Sequence, residues 1–440
     1  IILGFVLLPF SCSQNKSIEK IEALNALQFE ESAYLKRHAS NPIDWHAWSD
    51  ETLKKAQKEN KLMVISIGYF SCFWCHVMEE ETFTDTLVAK IMNEHFISVK
   101  VDREERPDID LIYTEAAMQM TGNAGWPLNI IATSDGKPLF AGTYFERADW
   151  LSIIERASYL YQESPETILE DAQSLASKIQ VQQKQVQGQS EWNMTDLESL
   201  WLQRIDKQYG GLNVTQKFPN APFLQSLLDY TYYYPSATLD EFLKTTLDHM
   251  ATGGLFDVVS GGFYRYATDA KWQVPHFEKM LYDNAQLINV YAKAYQKFKN
   301  PFYLHIAERT LQFLKHEMVA GSGGFVSSIN AVSENEEGAF YTWTYEELKT
   351  AGVTDDILNA FNVTKTGNWE NGKNILHSTP NFKKDIMTWF ESGTFHFLKA
   401  LQSKRKLPTK DFKVLSGWNA LIIQSYVNLY QATGSDQYLI

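Results

Sequence analysis

The alternation of apolar and polar positions divides the chain near residue 180. Between residues 30 and 180, short apolar runs alternate with polar-faced helical stretches. "KLMVISIG" (61–68) and "FISVKVD" (96–102) are apolar and rich in β-branched residues, and both read as buried strands. "ETLKKAQKEN" (51–60) has polar faces and no breaker, and predicts a helix ahead of the first of them. One helix is expected to run from the cysteines after that strand through "TDTLVAKIMNEH", another over "DIDLIYTEAAMQM" and a last over "WLSIIERASYLYQ". "PLNIIAT" and "KPLFAGTYF" flank "SDG" (134–136), a turn signal suited to a hairpin. From the first strand onward the predicted order is β-α-β-α-β-β-α, with Cys72 where a strand feeds a helix.

"QVQQKQVQGQSE" (180–191) is Gln-rich without apolar periodicity and reads as a linker. Beyond it the strand pattern nearly vanishes. Helical segments such as "PFLQSLLDYTYYY", "LYDNAQLINVYAKAYQKF" and "PFYLHIAERTLQFLKHEMV" are separated by Gly-Gly-apolar loops: "YGGL" (209–212), "TGGLF" (252–256), "SGGFY" (260–264) and "SGGF" (322–325). Helix pairs punctuated by one recurring loop type predict an α/α solenoid or toroid.

Composition changes this picture in two places. A net charge of −13 with no basic stripe argues against nucleic-acid binding. The opening "IILGFVLLPF" is too short to span a bilayer and suits the apolar core of a signal peptide. Ser11-Cys12 and the polar tract after it read as the end of a lipoprotein signal, with Cys12 lipidated and acting as the only membrane attachment. A plain secretory signal or a cropped anchor are the alternatives, and all three place the protein outside the cytoplasm. The expected divisions are a signal remnant (1–12), a tether (13–29), an α/β domain (30–180), a linker (181–191) and an all-α region (192–440).

The three cysteines are Cys12, Cys72 and Cys75. Cys-x-x-Cys-His at 72–76 fits a redox dithiol, a haem attachment site or half of a zinc site by spacing alone. The buried strand before it argues against the exposed loop that haem attachment needs. A zinc site lacks a second cysteine pair, so neither metal nor cofactor is expected. A purely structural bridge over so short a loop restrains the unfolded chain little. The dithiol reading prevails, with Cys72 as the more exposed, attacking thiol at the helix start and Cys75 as the resolving one. His76 reads as a helix-surface residue. Trp126-Pro127, before a strand, reads as a cis-proline presenting backbone to a disulfide substrate.

"NPIDWHAW", "CFWCHVMEEETF", "VKVDREERPDID", "GNAGWPLNI", "GGLFDVVSGGFYRYATDAKWQVPHFEKMLYDNAQL" (253–287) and "GWNALII" (417–423) resemble the spermatogenesis-associated thioredoxin-like family. The resemblance covers nearly all of residues 27–440. It implies a thioredoxin-like domain fused to an (α/α) toroid similar to N-acylglucosamine 2-epimerases and six-hairpin glycosidases. It also implies a longer toroid, so the ring is expected to be incomplete at the C-terminus. The chain departs from the family at Phe73, where a His is usual between the cysteines, and at Asn330 and Val332, where two aspartates are usual.

A second constellation follows the Gly-Gly loops. Arg265, Asp269, His276, Glu278, Lys279, Tyr282 and Asp283 lie close together in sequence around Pro275. They are expected to meet Asp257, Trp418 and Asn419 in one cleft. A carboxylate pair there, Asp257 or Asp269 with Glu278, would suit sugar chemistry, and His276 could serve an epimerase as acid or base. The alternative is a satisfied structural network. The expected function is thiol–disulfide exchange on a protein thiol or disulfide, beside a toroid that binds a glycan or partner. A carbohydrate-active enzyme or a non-catalytic binding protein are the other readings.

Overall fold

Every residue of the strand Leu62–Gly68 is buried, and so is every residue of Phe96–Asp102. Both runs are buried on each face, so both sides of the sheet they form are covered. The computed structural model describes residues 24–181 and 194–439. The signal remnant with Cys12 and the Gln-rich linker lie outside the described residues, save Gln180 and Val181, which end a helix.

The first domain contains strands Trp45–Ala47 (β1), Leu62–Gly68 (β2), Phe96–Asp102 (β3), Leu128–Ala132 (β4) and Pro138–Gly142 (β5). Its helices are Ala33–Arg37 (α1), Asp50–Glu59 (α2), Phe73–Met78 (α3), Thr86–His95 (α4), Pro107–Thr121 (α5), Arg147–Glu163 (α6) and Pro165–Val181 (α7). The sheet order is β1-β3-β2-β4-β5, parallel across the first three strands and antiparallel across the last three. The register pairs Ile67 with Leu128, which sets Pro127 beside the end of β2 where the cysteine motif begins.

The predicted order holds from β2 to α6, with four corrections. β1 was not foreseen, because three residues carry too little alternation to read as a strand. The helix expected to run from the cysteines to His95 is broken: α3 widens into a π-type turn over Glu79–Phe83, and Asp85 caps a new helix. α7 extends the domain beyond the closing helix expected. The segment 24–29, assigned to the tether, belongs to the fold. Leu27 is fully buried, and the Asn25 side-chain amide donates to the carbonyls of His38 and Ile43.

The second region is built on helices Met194–Leu202 (α8), Ala221–Tyr233 (α9), Ala237–Thr252 (α10), Leu281–Phe298 (α11), Pro301–Glu317 (α12), Tyr345–Thr350 (α13), Asp355–Ala360 (α14), Lys383–Phe390 (α15), Gly393–Gln402 (α16) and Ser416–Thr433 (α17). α11 is the most buried of these and packs against α9, α12 and α17. Strand structure is reduced to two-residue pieces. Three of them, Lys279–Met280, Ser328–Ile329 and Lys410–Asp411, form one small sheet.

Three of the four Gly-Gly elements are one device. Gly210-Gly211, Gly261-Gly262 and Gly323-Gly324 all have positive φ, which L-residues with a side chain rarely adopt. Each turn is closed by an isolated bridge: Ile205 to Leu212, Phe256 to Phe263, and Val319 to Phe325. The "TGGLF" element differs, since Gly253 is extended and caps α10.

Candidate thiol–disulfide site at the domain junction

Cys72 and Cys75 form a disulfide, with Cα atoms 5.3 Å apart. Cys72 is the N-cap of α3, and its Sγ accepts a hydrogen bond from the Cys75 N–H at 3.2 Å. That donor remains after reduction and favours a thiolate on Cys72. The expected difference in exposure is not present: each cysteine is 2% exposed. Gly68 permits this packing, because a Cβ there would lie 2.7 Å from Cys75 Sγ and would also collide with the Tyr34 hydroxyl.

His76 is half-buried rather than free on the helix surface. Its Nε2 lies 2.6 Å from the Phe70 carbonyl oxygen, and burial pulls the imidazole down to about 4. The Trp126-Pro127 bond is cis, as expected. The Trp126 indole donates to Asp110 at 2.7 Å, and the Arg103 guanidinium lies 3.8 Å from the Trp126 ring while pairing with Asp110 at 3.0 Å. Tyr69 packs edge-on against Trp126 from the β2 side.

The second region covers this face. Ser71, next to Cys72, is fully buried, and its Oγ reaches the Sδ of Met280 at 3.7 Å. The Tyr69 hydroxyl accepts from Arg265 and lies 3.4 Å from Glu278 Oε2, while Arg265 pairs with Glu278 at 2.6 Å. A second clasp lies beside it. Lys413 reaches Asp102 and approaches Glu104 at 2.9 Å and Asp411 at 3.1 Å, so one ammonium serves three buried carboxylates.

The residues expected in one cleft separate into two groups. Arg265, His276, Glu278, Tyr282, Asp283 and Trp418 gather at or beside the junction. His276 Nδ1 pairs with Glu337 at 2.7 Å, and its Nε2 stands 3.9 Å from Glu278. Tyr282 meets Trp418 edge-to-face at 4.7 Å. Glu278 Oε1 and Asp283 Oδ2 are buried without hydrogen-bond partners. Burial pushes the Asp283 carboxyl up to about 7, against the pull of Arg265 and Arg103.

Asp257, Lys279, Asp269 and Asn419 instead lock loops, which corrects their assignment to the cleft. Lys279 bonds Asp257 at 2.7 Å and the Gly261 carbonyl at 2.9 Å. Lys217 does the same one repeat earlier, with Asp206 and the Gly210 carbonyl both at 2.6 Å. Asn419 clamps both backbone groups of Phe325 from the start of α17, as Asn284 clamps Phe263 from the start of α11. Repetition of the same contacts at two places identifies a structural role. Asp269 accepts from the backbone N–H groups of Lys271, Gln273 and Val274 and shapes the loop before Pro275.

The sequence reading missed Tyr69, Arg103, Asp102, Glu104, Met280 and Lys413. The motifs "VKVDREERPDID" and "CFWCHVMEEETF" enclose or border four of these, but nothing local links them to residues some 200 to 300 positions away.

Residues 24–180 match the family model Thioredox_DsbH, described as a protein of unknown function, DUF255. The chain is 33% identical over 466 residues to spermatogenesis-associated protein 20 of Homo sapiens, an alignment covering 94% of this chain and 59% of the relative. The chain thus spans about three fifths of the length of that curated relative. Among solved structures, a DsbH oxidoreductase is similar over 34% of this chain and 96% of its own, at 17% identity and TM-score 0.23. A cellobiose 2-epimerase from Bacillus thermoamylovorans is similar over 56% of this chain and 83% of its own, at 12% identity and TM-score 0.29. The chain is a thioredoxin-like domain followed by an all-α region, and over nearly its whole length it is similar to spermatogenesis-associated protein 20.

Proposed function

We propose that the chain carries out thiol–disulfide exchange at Cys72 and Cys75, and that the second region forms part of the site. The observation that carries this reading is the docking of Arg265, Glu278 and Met280 onto the turn bearing the cysteines. In the reducing direction, the Cys72 thiolate attacks a substrate disulfide. Its sulfur–sulfur bond breaks, one substrate thiolate leaves and a mixed disulfide forms on Cys72. The Cys75 thiolate then attacks Cys72 Sγ, expels the second substrate thiolate and closes the Cys72–Cys75 bond. Two electrons pass to the substrate, and an external thiol reductant must restore the dithiol. The oxidising direction is the same sequence reversed.

Cys75→Ser tests the proposal. This variant should accumulate a stable mixed disulfide with a glutathione-capped peptide substrate, visible by mass spectrometry on the peptide containing residue 72. A variant that never forms the adduct after reduction, while remaining folded, would refute exchange at this pair.

A second reading, carbohydrate chemistry at the second region's end of the junction, draws on Asp283. A carboxyl raised to about 7 beside an aromatic pair is a candidate general acid. Asp283→Asn should then abolish turnover of the sugar substrate while leaving thiol–disulfide exchange intact. Unchanged sugar turnover in that variant removes Asp283 from the chemistry.

A further inference from the structure

A cavity of about 110 Å³ lies where the carboxyl ends of α12 and α16 meet the loop that ends in Gly261. Its wall includes Ser260, Arg309, His316, Glu317, Lys399 and Gln402. Arg309 reaches it from α12, is 9% exposed, and lies over the rings of Phe390 and Phe395 at 4.5 and 4.8 Å. One of its terminal nitrogens donates to the Val259 carbonyl at 3.1 Å, but its Nε is buried without an acceptor. Lys399, exposed on α16, makes no hydrogen bond or ion pair among the described residues.

The nearby carboxylates are engaged elsewhere. Asp257 is held by Lys279 at 2.7 Å, and Glu317 pairs with Lys410 at 3.5 Å. Two cations therefore border one small cavity, and the single carboxylate in its wall, Glu317, is shared with Lys410. Burial pulls Arg309 down to about 10, against Asp257, and also lowers Lys399, on which Arg309 acts as a like charge while Glu317 and Asp257 oppose the fall. A bound anion would offset both effects. The polar floor is already fixed, since Ser260 Oγ donates to Gln402 Oε1 at 2.6 Å and Gln402 Nε2 to the Phe340 carbonyl at 3.3 Å.

We propose that this cavity binds a tetrahedral oxyanion, as inorganic phosphate or as the phosphoryl group of a small metabolite, through Arg309 and Lys399. The volume admits one such group rather than a whole phosphorylated sugar, whose remainder would extend through the mouth. A guanidinium edge on one side and an ammonium on another suit oxygens that point in several directions, whereas a carboxylate presents only two in one plane. Neither Arg309 nor Lys399 forms an ion pair among the described residues, which leaves both able to meet an anionic ligand. The site is separate from the cysteine pair and does not depend on the exchange chemistry.

Isothermal titration of the full chain with inorganic phosphate, at constant ionic strength set with chloride, tests the proposal. Saturable binding is expected, and Lys399→Glu should weaken it at least about tenfold, because the variant replaces a cation of the site with an anion. Lys399 is exposed, so this variant should retain the wild-type melting temperature without phosphate. Arg309→Gln should abolish binding, and the Lys399 variant keeps the test valid if Arg309→Gln does not fold. Tighter binding of glucose 6-phosphate than of phosphate assigns the site to a metabolite's phosphoryl group, and the reverse order assigns it to the free anion. No saturable binding up to about 10 mM, or equal binding by wild type and Lys399→Glu, overturns the proposal.

Discussion

Lys413→Met should destabilise the folded chain by about 3–5 kcal/mol near neutral pH, the range for removing one partner of a buried charge cluster. Lys413 is the cation shared by Asp102, Glu104 and Asp411, whose side chains are each 1% exposed. Ser32 also donates to Asp102 at 2.6 Å, but a hydroxyl cannot neutralise three carboxylates. The pH dependence has a definite sign. Burial pushes Glu104 up to about 7 from an ordinary value of 4.5, against the pull of Lys413, and Asp102 and Asp411 add to the rise. A carboxyl whose folded pKa is raised makes the fold less stable as pH rises from the unfolded value through the folded one. In the wild type this loss falls between about pH 4.5 and 7. Without Lys413 the pull that opposes this rise is gone, so Glu104 holds its proton to still higher pH. The difference between variant and wild type should therefore be largest at pH 8 and shrink towards pH 5. Urea denaturation across that range measures it, and a difference independent of pH would show that the clasp is not electrostatic.

Arg265→Met should cost a similar amount, about 3–5 kcal/mol, and should also expose the dithiol. Glu278 is fully buried and pairs with Arg265 at 2.6 Å, while Tyr69 bridges this pair to the cysteine-bearing domain. Removing the guanidinium leaves a buried carboxylate uncompensated. Replacing both partners, Arg265→Met with Glu278→Leu, should recover most of the loss, because an apolar pair of similar volume carries no desolvation penalty. Alkylation of the reduced cysteines should be faster in Arg265→Met than in wild type, since Arg265 helps hold the cover over Ser71 and Cys72. If stability falls while the alkylation rate stays unchanged, the second region does not control access to the dithiol.

The two clasps explain why junction and motif differed so much in legibility. The order β2-α3-β3-α5-β4-β5-α6 follows from runs of apolar residues and turn signals that act over about ten positions. The placement of Cys72 at the end of a strand and the start of a helix is local for the same reason, and so is the hairpin around "SDG". The π-type turn at Glu79–Phe83 escaped notice because an added residue in a helical turn leaves the apolar period almost unchanged. In the second region, the sequence showed that Arg265 to Asp283 is dense in polar groups without showing which are committed. Asp257, Lys279 and Asn419 became recognisable as loop locks only when Asp206, Lys217 and Asn284 were seen to make matching contacts.

The amino-acid sequence by itself determined the elements, the strand-to-helix position of the cysteine pair and the change from an α/β to an all-α pattern, because each depends on neighbours a few residues apart. The tertiary structure alone decided that the second region covers the dithiol. Arg265 meets Tyr69 across 196 positions and Lys413 meets Asp102 across 311. No periodicity or propensity extends that far along a chain. Contacts at such separations arise only when two finished surfaces pack together, and their charges are read as partners only once burial has removed the water between them.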